Sequence, residues 1–238
     1  MQSADKKSVA LVIPAYNEGK VIKHVVTDLN KVFKKTSYNF KIIVIDDGSK
    51  DDTAQQAQSG GALVIKHILN MGSGSATATG LSYAYQNGFD IATTSDADGQ
   101  HSPEDVLKGT DLMAHGTIDL LIGSRLLNKQ DMSQIKVMGN KGLSIITYLL
   151  FGINVTDSQS GLRVFSKHSL ESLKWKTSGY EFCSEMLWRA KQLSLNIDEY
   201  PIKTIYTNYS IAKGQNSWNA FNIVKSLLRR RLVEFFNE

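Results

Sequence analysis

The sequence predicts an α/β fold with a mostly parallel central sheet, and two observations carry this prediction. First, short apolar runs recur along the first half of the chain, as expected of strands covered on both faces. These runs are 9–13, 42–45, 63–65, 89–94 and 119–122. Second, helical segments lie between the runs, an alternation that favours parallel strands joined by right-handed crossovers. Because ligands bind at the carboxyl ends of such strands, the polar stretches after each run form the candidate site.

The connecting segments carry helix signals of their own. Apolar residues recur at helical spacing over 21–33, and residues 51–53 offer N-caps for a short second helix. A third helix of small residues is expected to follow 70–75 and to end near Tyr85. Pro103, followed by two acids, predicts the start of a fourth helix.

The pattern is less regular beyond Arg125. We expect, in order, a polar mobile loop, an apolar segment that packs against something other than the sheet, a turn before a short strand, a helix, and a strand. Pro201 interrupts this last strand and places it near the sheet edge. The segments are 126–138, 142–151, 157–163, 181–193 and 197–206.

Length and composition limit the class of protein. With 238 residues, 42% of them apolar and 21% charged, the chain is expected to form one globular domain over 1–238. Its single cysteine, Cys183, excludes an internal disulfide and a Cys-cluster zinc site. Nothing at the N-terminus resembles a signal peptide, and the longest uncharged stretch, 142–156, is too short to span a bilayer, so we expect a cytoplasmic protein. The basic residues do not alternate with aromatic ones as in a nucleic-acid-binding module, so no nucleic-acid partner is expected.

The segment 95–101, which follows the fourth apolar run, carries the clearest chemical signal. In extended backbone, residues i and i+2 project to the same side, so Asp96 and Asp98 converge and Gln100 continues that parity. Two carboxylates and an amide oxygen suit Mg²⁺ or Mn²⁺, which keep water and phosphate oxygens as their remaining ligands. The alternative for an isolated pair of this kind is an acidic turn that caps the helix at Pro103.

Gly72 and Gly74 invite comparison with a dinucleotide-binding fingerprint. The next glycine, Gly80, is at the wrong spacing, and the motif follows the third strand instead of the first. We therefore interpret the two glycines as positions where a helix N-terminus closely approaches another element or a phosphate.

Four short motifs together give a more specific signal than any one of them. Residues 14–18 (PAYNE), 46–51 (DDGSKD), 96–98 (DAD) and 123–125 (GSR) resemble, in order and spacing, the family-2 glycosyltransferases with the GT-A fold. Within that family the chain is similar to the dolichol-phosphate mannose synthases and other polyprenyl-phosphate glycosyltransferases. The resemblance implies a three-layer α/β/α sandwich and covers roughly 8–215. Further matching segments are 70–74, 100–104, 157–163 and 199–202.

The resemblance also implies a donor site for a UDP- or GDP-sugar. The residues expected to bind this nucleotide-sugar are Pro14, Ala15, Tyr16, Glu18, Asp47 and Asp96. Asp96, Asp98 and Gln100 would hold the Mg²⁺ or Mn²⁺ ion that bridges the donor diphosphate and stabilises its departure as a Lewis acid.

On the acceptor side, Arg125 is expected to meet the acceptor phosphate, because arginine binds phosphate oxygens through two parallel hydrogen bonds. Arg163 is a second candidate or, equally, part of a buried structural ion pair. The mannose synthases carry another arginine in the acceptor loop, for which this chain offers Lys136 or Lys141. Some relatives also carry lysine where this chain has Ser73. The identity of the acceptor therefore stays open.

A hydroxyl acceptor would need a general base. A phosphate is already an anion at neutral pH and needs only cations to position it, which makes Arg125 critical, beside Asp98 as the catalytic metal ligand. Glu185 falls where hydroxyl-glycosylating relatives keep an acidic base, and Asp157 opens the turn that leads to Arg163. The alternative roles are an acid on a helix face for Glu185 and a turn cap for Asp157.

The C-terminal segment, about 219–238, combines an apolar stripe with Lys225 and the run Arg229, Arg230 and Arg231. It predicts a basic amphipathic helix that lies on an anionic membrane surface, or else docks on its own domain or on a small integral membrane partner.

These observations predict a metal-dependent, inverting transfer of a sugar from a nucleotide donor to a polyprenyl phosphate at the cytoplasmic face of a membrane. The first alternative is transfer to a hydroxyl group of a glycan or lipid. The second is a non-catalytic nucleotide-sugar-binding protein that recruits a membrane partner.

Overall fold

The computed structural model describes residues 6–128 and 134–205, apart from the side chains of Ile135 and Lys136. The predicted C-terminal helix over 219–238 and the side chain of Lys136 therefore lie outside the described residues. Within the described ranges, no helix is long and apolar enough to cross a bilayer.

Seven strands and seven helices alternate along this part of the chain, except that two helices follow each other before the last strand. The strands are β1 (Ser8–Ala15), β2 (Asn39–Asp46), β3 (Leu63–Lys66), β4 (Ile91–Thr94), β5 (Leu120–Ser124), β6 (Arg163–Ser166) and β7 (Ile197–Pro201). The helices are α1 (Ile22–Phe33), α2 (Thr53–Ser59), α3 (Ser73–Gln86), α4 (Pro103–His115), α5 (Gln134–Phe151), α6 (Lys167–Ser172) and α7 (Phe182–Gln192).

The strands form one sheet in the order β3-β2-β1-β4-β6-β5-β7. All neighbouring strands are parallel except β6, which runs antiparallel to both β4 and β5. Its first residue, Arg163, therefore pairs with Thr94 and Ile122 near the carboxyl ends of those strands. As a result, the loop that enters β6 reaches the same sheet edge as the loops that leave the parallel strands.

Apolar side chains cover both faces of the sheet, because successive strand residues point to opposite sides. Val12 and Ile45 belong to a buried cluster with residues of α3, α5, α6 and α7. Leu11 and Val44 belong to a second cluster with residues of α1, α2 and α4. The predicted three-layer arrangement and mostly parallel sheet are thus confirmed, and β7 occupies a sheet edge as predicted.

One prediction is wrong at its boundary. Irregular structure was expected over 126–138, but α5 begins at Gln134. Gly139, Gly142 and the polar residues between them weaken the helical pattern in the sequence, and none of residues 137–142 is buried, so no apolar stripe marks the start of this helix. Packing begins farther along the helix, at the buried Leu143. The rings of Phe151 on α5 and Trp188 on α7 lie 6.1 Å apart.

Candidate active site

The acidic loop after β4 turns away from the sheet instead of continuing in extended form. Residues 97–99 form the turn, with Gly99 at φ 76°, and Asp98 accepts a hydrogen bond from the Gln100 backbone N–H at 3.0 Å. Ala97 is buried, whereas the Asp96 side chain is 47% exposed. Asp96 and Asp98 are therefore both partly accessible, although the turn and not an extended backbone places them.

The His101 ring is hydrogen-bonded to the backbone of this loop. Its buried Nδ1 accepts a hydrogen bond from the Asp96 backbone N–H at 3.2 Å, which assigns the ring proton to Nε2. Nε2 lies 3.7 Å from Asp96 Oδ2. Burial lowers the pKa of His101, and the Asp96 carboxylate opposes this only in part, so the ring is neutral at pH 7.

The acidic loop fits a hard divalent cation with an incomplete protein shell. In the part of the chain that the structure describes, no group of three or more His, Cys, Asp or Glu side chains could hold a metal alone. Two carboxylates at an accessible edge match the way Mg²⁺ is usually bound, with water and substrate phosphates completing the octahedron. Burial, followed by the charges of Asp96, Glu18 and Asp98, raises the pKa of Tyr180, so this half-exposed ring lies within electrostatic reach of the same acids.

The loop after β1 holds the other expected donor residues. Pro14 and Ala15 are the last two residues of the strand, and Tyr16 next to them is 39% exposed. Glu18 is buried, and its backbone N–H donates to Thr53 Oγ1 at 2.8 Å. Asn17, at φ 54°, donates from its backbone to Ser49 Oγ at 2.9 Å. The loops after β1 and β2 are therefore tied to each other.

The Asp47 carboxylate is bonded to the loop after β3. Its buried carboxylate accepts hydrogen bonds from the backbone N–H groups of Met71 and Gly72 at 2.9 and 2.8 Å. Its Oδ1 also lies 2.7 Å from His67 Nδ1. In this structure Asp47 therefore organises the loop after β3, and a contact with the nucleotide stays a prediction.

Gly72 and Gly74 allow two backbones to approach each other. A Cβ at Gly72 would lie 2.4 Å from the Ser178 carbonyl oxygen, and one at Gly74 would lie 2.6 Å from the Thr177 carbonyl oxygen. The Gly74 N–H donates to the Ser178 carbonyl at 2.7 Å. Of the two interpretations of these glycines, close approach to another element is the one found.

Arg125 and Asp157 form a two-pronged ion pair. Arg125 Nε donates to Asp157 Oδ2 at 2.7 Å, and Nη2 donates to Oδ1 at 2.8 Å. The Arg125 backbone N–H adds a third bond to Oδ2 at 3.1 Å. Burial raises the pKa of Asp157, but the charge and hydrogen bonds of Arg125 outweigh it and hold the pKa below its usual value. Asp157 is consequently a weak base that orients Arg125.

Arg163 and Glu185 are both buried and bonded to the protein. Arg163 donates to the carbonyl oxygens of Ser160, Cys183 and Ser158 at 3.0, 3.1 and 2.8 Å. Glu185 accepts hydrogen bonds from the backbone N–H groups of Lys176 and Thr177 at 2.9 and 2.8 Å. These contacts give both residues a structural role, with carbonyl groups in place of the ion pair considered for Arg163.

The loop that contains Gly161 contacts the acidic loop that contains Asp96. A Cβ at Gly161 would lie 2.2 Å from Asp96 Oδ1, so the loop that carries Asp157 packs directly on the acidic loop. Thr94 Oγ1 stabilises this contact by donating to the Gly161 carbonyl at 2.8 Å. The loop that contacts Asp96 thus also carries Asp157, the ion-pair partner of Arg125. That Asp96, Asp98 and Arg125 act on the same substrate stays a prediction.

Two residues near this contact, Glu199 and Tyr180, were not predicted as site residues. Glu199 accepts hydrogen bonds from the backbone N–H groups of Thr156 and Asp157 at 2.8 and 3.2 Å. Glu199 lies within a segment that resembles the family, which was the available signal, but no single-sequence feature marks Tyr180.

Comparison with known proteins agrees with this geometry. The family model described as glycosyl transferase family 2 matches residues 10–174. A UDP-N-acetylglucosamine–dolichyl-phosphate N-acetylglucosaminyltransferase from Methanococcus voltae is 43% identical, and the alignment covers 95% of this chain and 97% of that protein. A polyprenol monophosphomannose synthase from Mycolicibacterium smegmatis is 26% identical over 93% of this chain and 88% of that protein.

A solved structure has the same fold. Glucosyl-3-phosphoglycerate synthase from Mycobacterium tuberculosis, in complex with Mn²⁺, uridine diphosphate and phosphoglyceric acid, superimposes with a TM-score of 0.71. The sequence identity is 21%, and the match covers 94% of this chain and 78% of that one. This similarity confirms the predicted GT-A-like architecture.

Proposed function

We propose that this chain, which belongs to glycosyl transferase family 2, transfers a sugar from a nucleotide-sugar to a polyprenyl phosphate with inversion at the anomeric carbon. Its membership of the family makes it a glycosyltransferase. The observation that carries the acceptor proposal is the Arg125–Asp157 pair, which holds a guanidinium in fixed orientation beside the acidic loop.

The donor would bind at the ends of β1 and β4. Asp96 and Asp98 would hold Mg²⁺ or Mn²⁺, with Gln100 as a further oxygen ligand. When bound, the cation supplies Lewis-acid stabilisation of the departing nucleoside diphosphate. The Tyr180 ring lies within electrostatic reach of the same acids and would limit the access of water to the sugar. The dolichyl-phosphate transferase from Methanococcus voltae uses a UDP-sugar by its name, which makes uridine the first donor to test.

The states of Asp157 and Glu185 support a phosphate acceptor over a hydroxyl acceptor. A hydroxyl nucleophile must lose a proton, so it needs a nearby base. The pKa of Asp157 is lowered by Arg125 despite burial, and Glu185 receives hydrogen bonds from the protein backbone. A phosphate monoester has its second pKa near 6 and is already a nucleophilic anion at pH 7. Arg125 would need only to bind and orient it.

The surface of α5 supports an acceptor with a hydrocarbon chain. Met138, Ile145, Tyr148 and Leu149 on this helix are all more than half exposed, and the helix contains no acidic residue. Its buried face is fixed to the Asp157 loop, because Ser144 Oγ accepts from the Ser158 N–H at 3.0 Å. We propose that the protein works as a peripheral enzyme at the cytoplasmic face of a membrane. The segment 219–238 would contact the lipid surface or a small integral membrane partner.

A transfer assay tests this function. The purified chain is incubated with Mn²⁺, a panel of UDP- and GDP-sugars, and either polyprenyl phosphate or free polyprenol. We expect one nucleotide-sugar to yield a glycosylated lipid from polyprenyl phosphate only, with inverted anomeric configuration by NMR. A product from polyprenol would favour the hydroxyl-directed alternative. Donor binding without any transfer would favour the non-catalytic alternative.

A further inference from the structure

Glu199 on β7 binds the segment that precedes the Asp157 carboxylate. Its carboxylate accepts from the Thr156 N–H at 2.8 Å, from the Thr156 hydroxyl at 2.9 Å and from the Asp157 N–H at 3.2 Å. A carboxylate can only accept, so all three donors are satisfied by this one side chain. Glu199 thus fixes the backbone from which Asp157 projects.

The hydroxyl groups nearby extend this bonding to both sides of Arg125. Because the Thr156 hydroxyl donates to Glu199, its oxygen accepts from Ser124 Oγ at 2.6 Å. Ser124 Oγ in turn accepts from the Leu126 N–H at 3.3 Å. The residues before and after Arg125 are therefore connected to the same carboxylate that fixes Asp157.

Strand register explains why Glu199 reaches this position. β7 pairs in parallel with β5, and Glu199 lies opposite Ile122 while Pro201 lies opposite Ser124. The Ile202 N–H continues the pairing by donating to the Ser124 carbonyl at 3.1 Å. The edge strand thus places the Glu199 carboxylate, which can only accept hydrogen bonds, near the end of β5, directly before Arg125.

We propose that Glu199 is a positioning residue that sets the orientation of Arg125 through Thr156 and Asp157, and through this the affinity for the acceptor phosphate. The proposal rests on the proposed function of Arg125. Fixed donors are effective only when their geometry is held, and a displacement of about 1 Å can cost about a hundredfold in rate.

The matched control is Asp119, which ties the opposite ends of the same strands. Asp119 accepts from the Asn196 N–H at 3.0 Å and from Ser166 Oγ at 3.1 Å, just before β5 and β7 begin. Glu199→Gln and Asp119→Asn each turn an acceptor oxygen into an N–H₂ donor that opposes backbone donors. Both residues lie on or next to the paired strands β5 and β7, but only Glu199 bonds the segment that leads to the partner of Arg125.

The experiment measures KM separately for polyprenyl phosphate and for the nucleotide-sugar in the wild type and both variants. We expect Glu199→Gln to raise KM for the acceptor about tenfold or more, with KM for the donor changed less than about twofold. Asp119→Asn should leave both constants within about twofold. Equal effects of Glu199→Gln on donor and acceptor, or effects matching those of Asp119→Asn, would overturn the proposal.

A second measurement does not depend on the acceptor. If the wild type glycosylates no polyprenyl phosphate, the proposed function fails, and a double-mutant cycle in urea unfolding tests Glu199 alone. Glu199→Gln and Arg125→Gln should then be non-additive, whereas Asp119→Asn and Arg125→Gln should be additive. Additivity of the first pair would overturn the positioning role.

Discussion

The acidic residues predicted for the site fall into two groups that differ in exposure and in their hydrogen bonds. Asp96 and Asp98 lie in the turn after β4, and the Asp96 side chain is 47% exposed. Asp47, Asp157 and Glu185 are buried, and each accepts at least two hydrogen bonds from the protein. The first group is accessible to a ligand, whereas the second is bonded to the protein. Proximity to the site alone therefore does not identify a catalytic acid.

The largest effect on activity is expected from removing one of the exposed acids, Asp98. Asp98→Ala should lower transfer by about a thousandfold or more, because the cation that stabilises the leaving diphosphate would lose a ligand. Its urea unfolding curve should stay close to that of the wild type, since the side chain is only partly buried.

Chelation provides the corresponding test without mutation. EDTA should stop the wild-type enzyme, and Mg²⁺ or Mn²⁺ should restore it, in a radiolabelled transfer assay. The control for Asp98→Ala is Asp28→Ala, which removes an exposed carboxylate paired with Lys31 and should transfer sugar at the wild-type rate. Full activity in the presence of chelator would contradict the metal assignment.

Two variants distinguish a phosphate acceptor from a hydroxyl acceptor. Arg125→Ala should reduce kcat/KM for polyprenyl phosphate about a hundredfold, because a charged donor to the acceptor is lost. Glu185→Gln should change activity per folded molecule little, while it lowers the free energy of unfolding by about 2 kcal/mol, because its backbone hydrogen bonds are weakened. A dead Glu185→Gln enzyme beside a tolerant Arg125→Ala enzyme would move the assignment to a hydroxyl acceptor.

Asp157 gives a pH-dependent test of the buried group. Its pKa is lowered in the folded state, so its stabilisation is full well above the ordinary value of 3.8 and is lost as pH falls through the folded value. Asp157→Asn should cost about 3 kcal/mol at pH 7, because Arg125 loses its charged partner. The difference from wild type in urea unfolding should narrow below pH 3.8. A difference that is constant from pH 7 to pH 3 would show that the charge of Asp157 is not the cause.

The smallest effect on chemistry is expected from the C-terminal segment. Deleting 219–238 should weaken binding to anionic vesicles in a salt-sensitive way and leave donor affinity nearly unchanged, because the donor depends on the exposed acids. Changing Arg229, Arg230 and Arg231 to glutamate should act in the same direction. Vesicle co-sedimentation and nucleotide-sugar titration measure the two effects. Loss of folding on deletion would contradict the membrane role and indicate a structural helix.

The sequence predicted the fold well where periodicity is strong and less well where tertiary contacts decide. The buried runs around Val12 and Val44 and the helix over 21–33 are confirmed, because continuous apolar strands and an amphipathic stripe are local signals. The start of α5 was not predicted, because its two glycines and its unburied residues 137–142 leave no amphipathic pattern to detect. Likewise, the segments with Asp157 and Glu185 were identified, but a motif does not reveal whether a carboxylate faces solvent or the backbone.

The antiparallel insertion of β6 determines when the enzyme can complete its site. β5 has only β6 and β7 as partners in the sheet, so it stays without a neighbouring strand until residues 163–166 have been synthesised. The strands β1 to β4 end at Thr94 and pair among themselves, so they can form their ladders before β6 has been synthesised. Arg125 is therefore synthesised well before the strands that hold it. The proposed donor side of the site can therefore form first, and the proposed acceptor side is completed only after β6 and β7 have been synthesised.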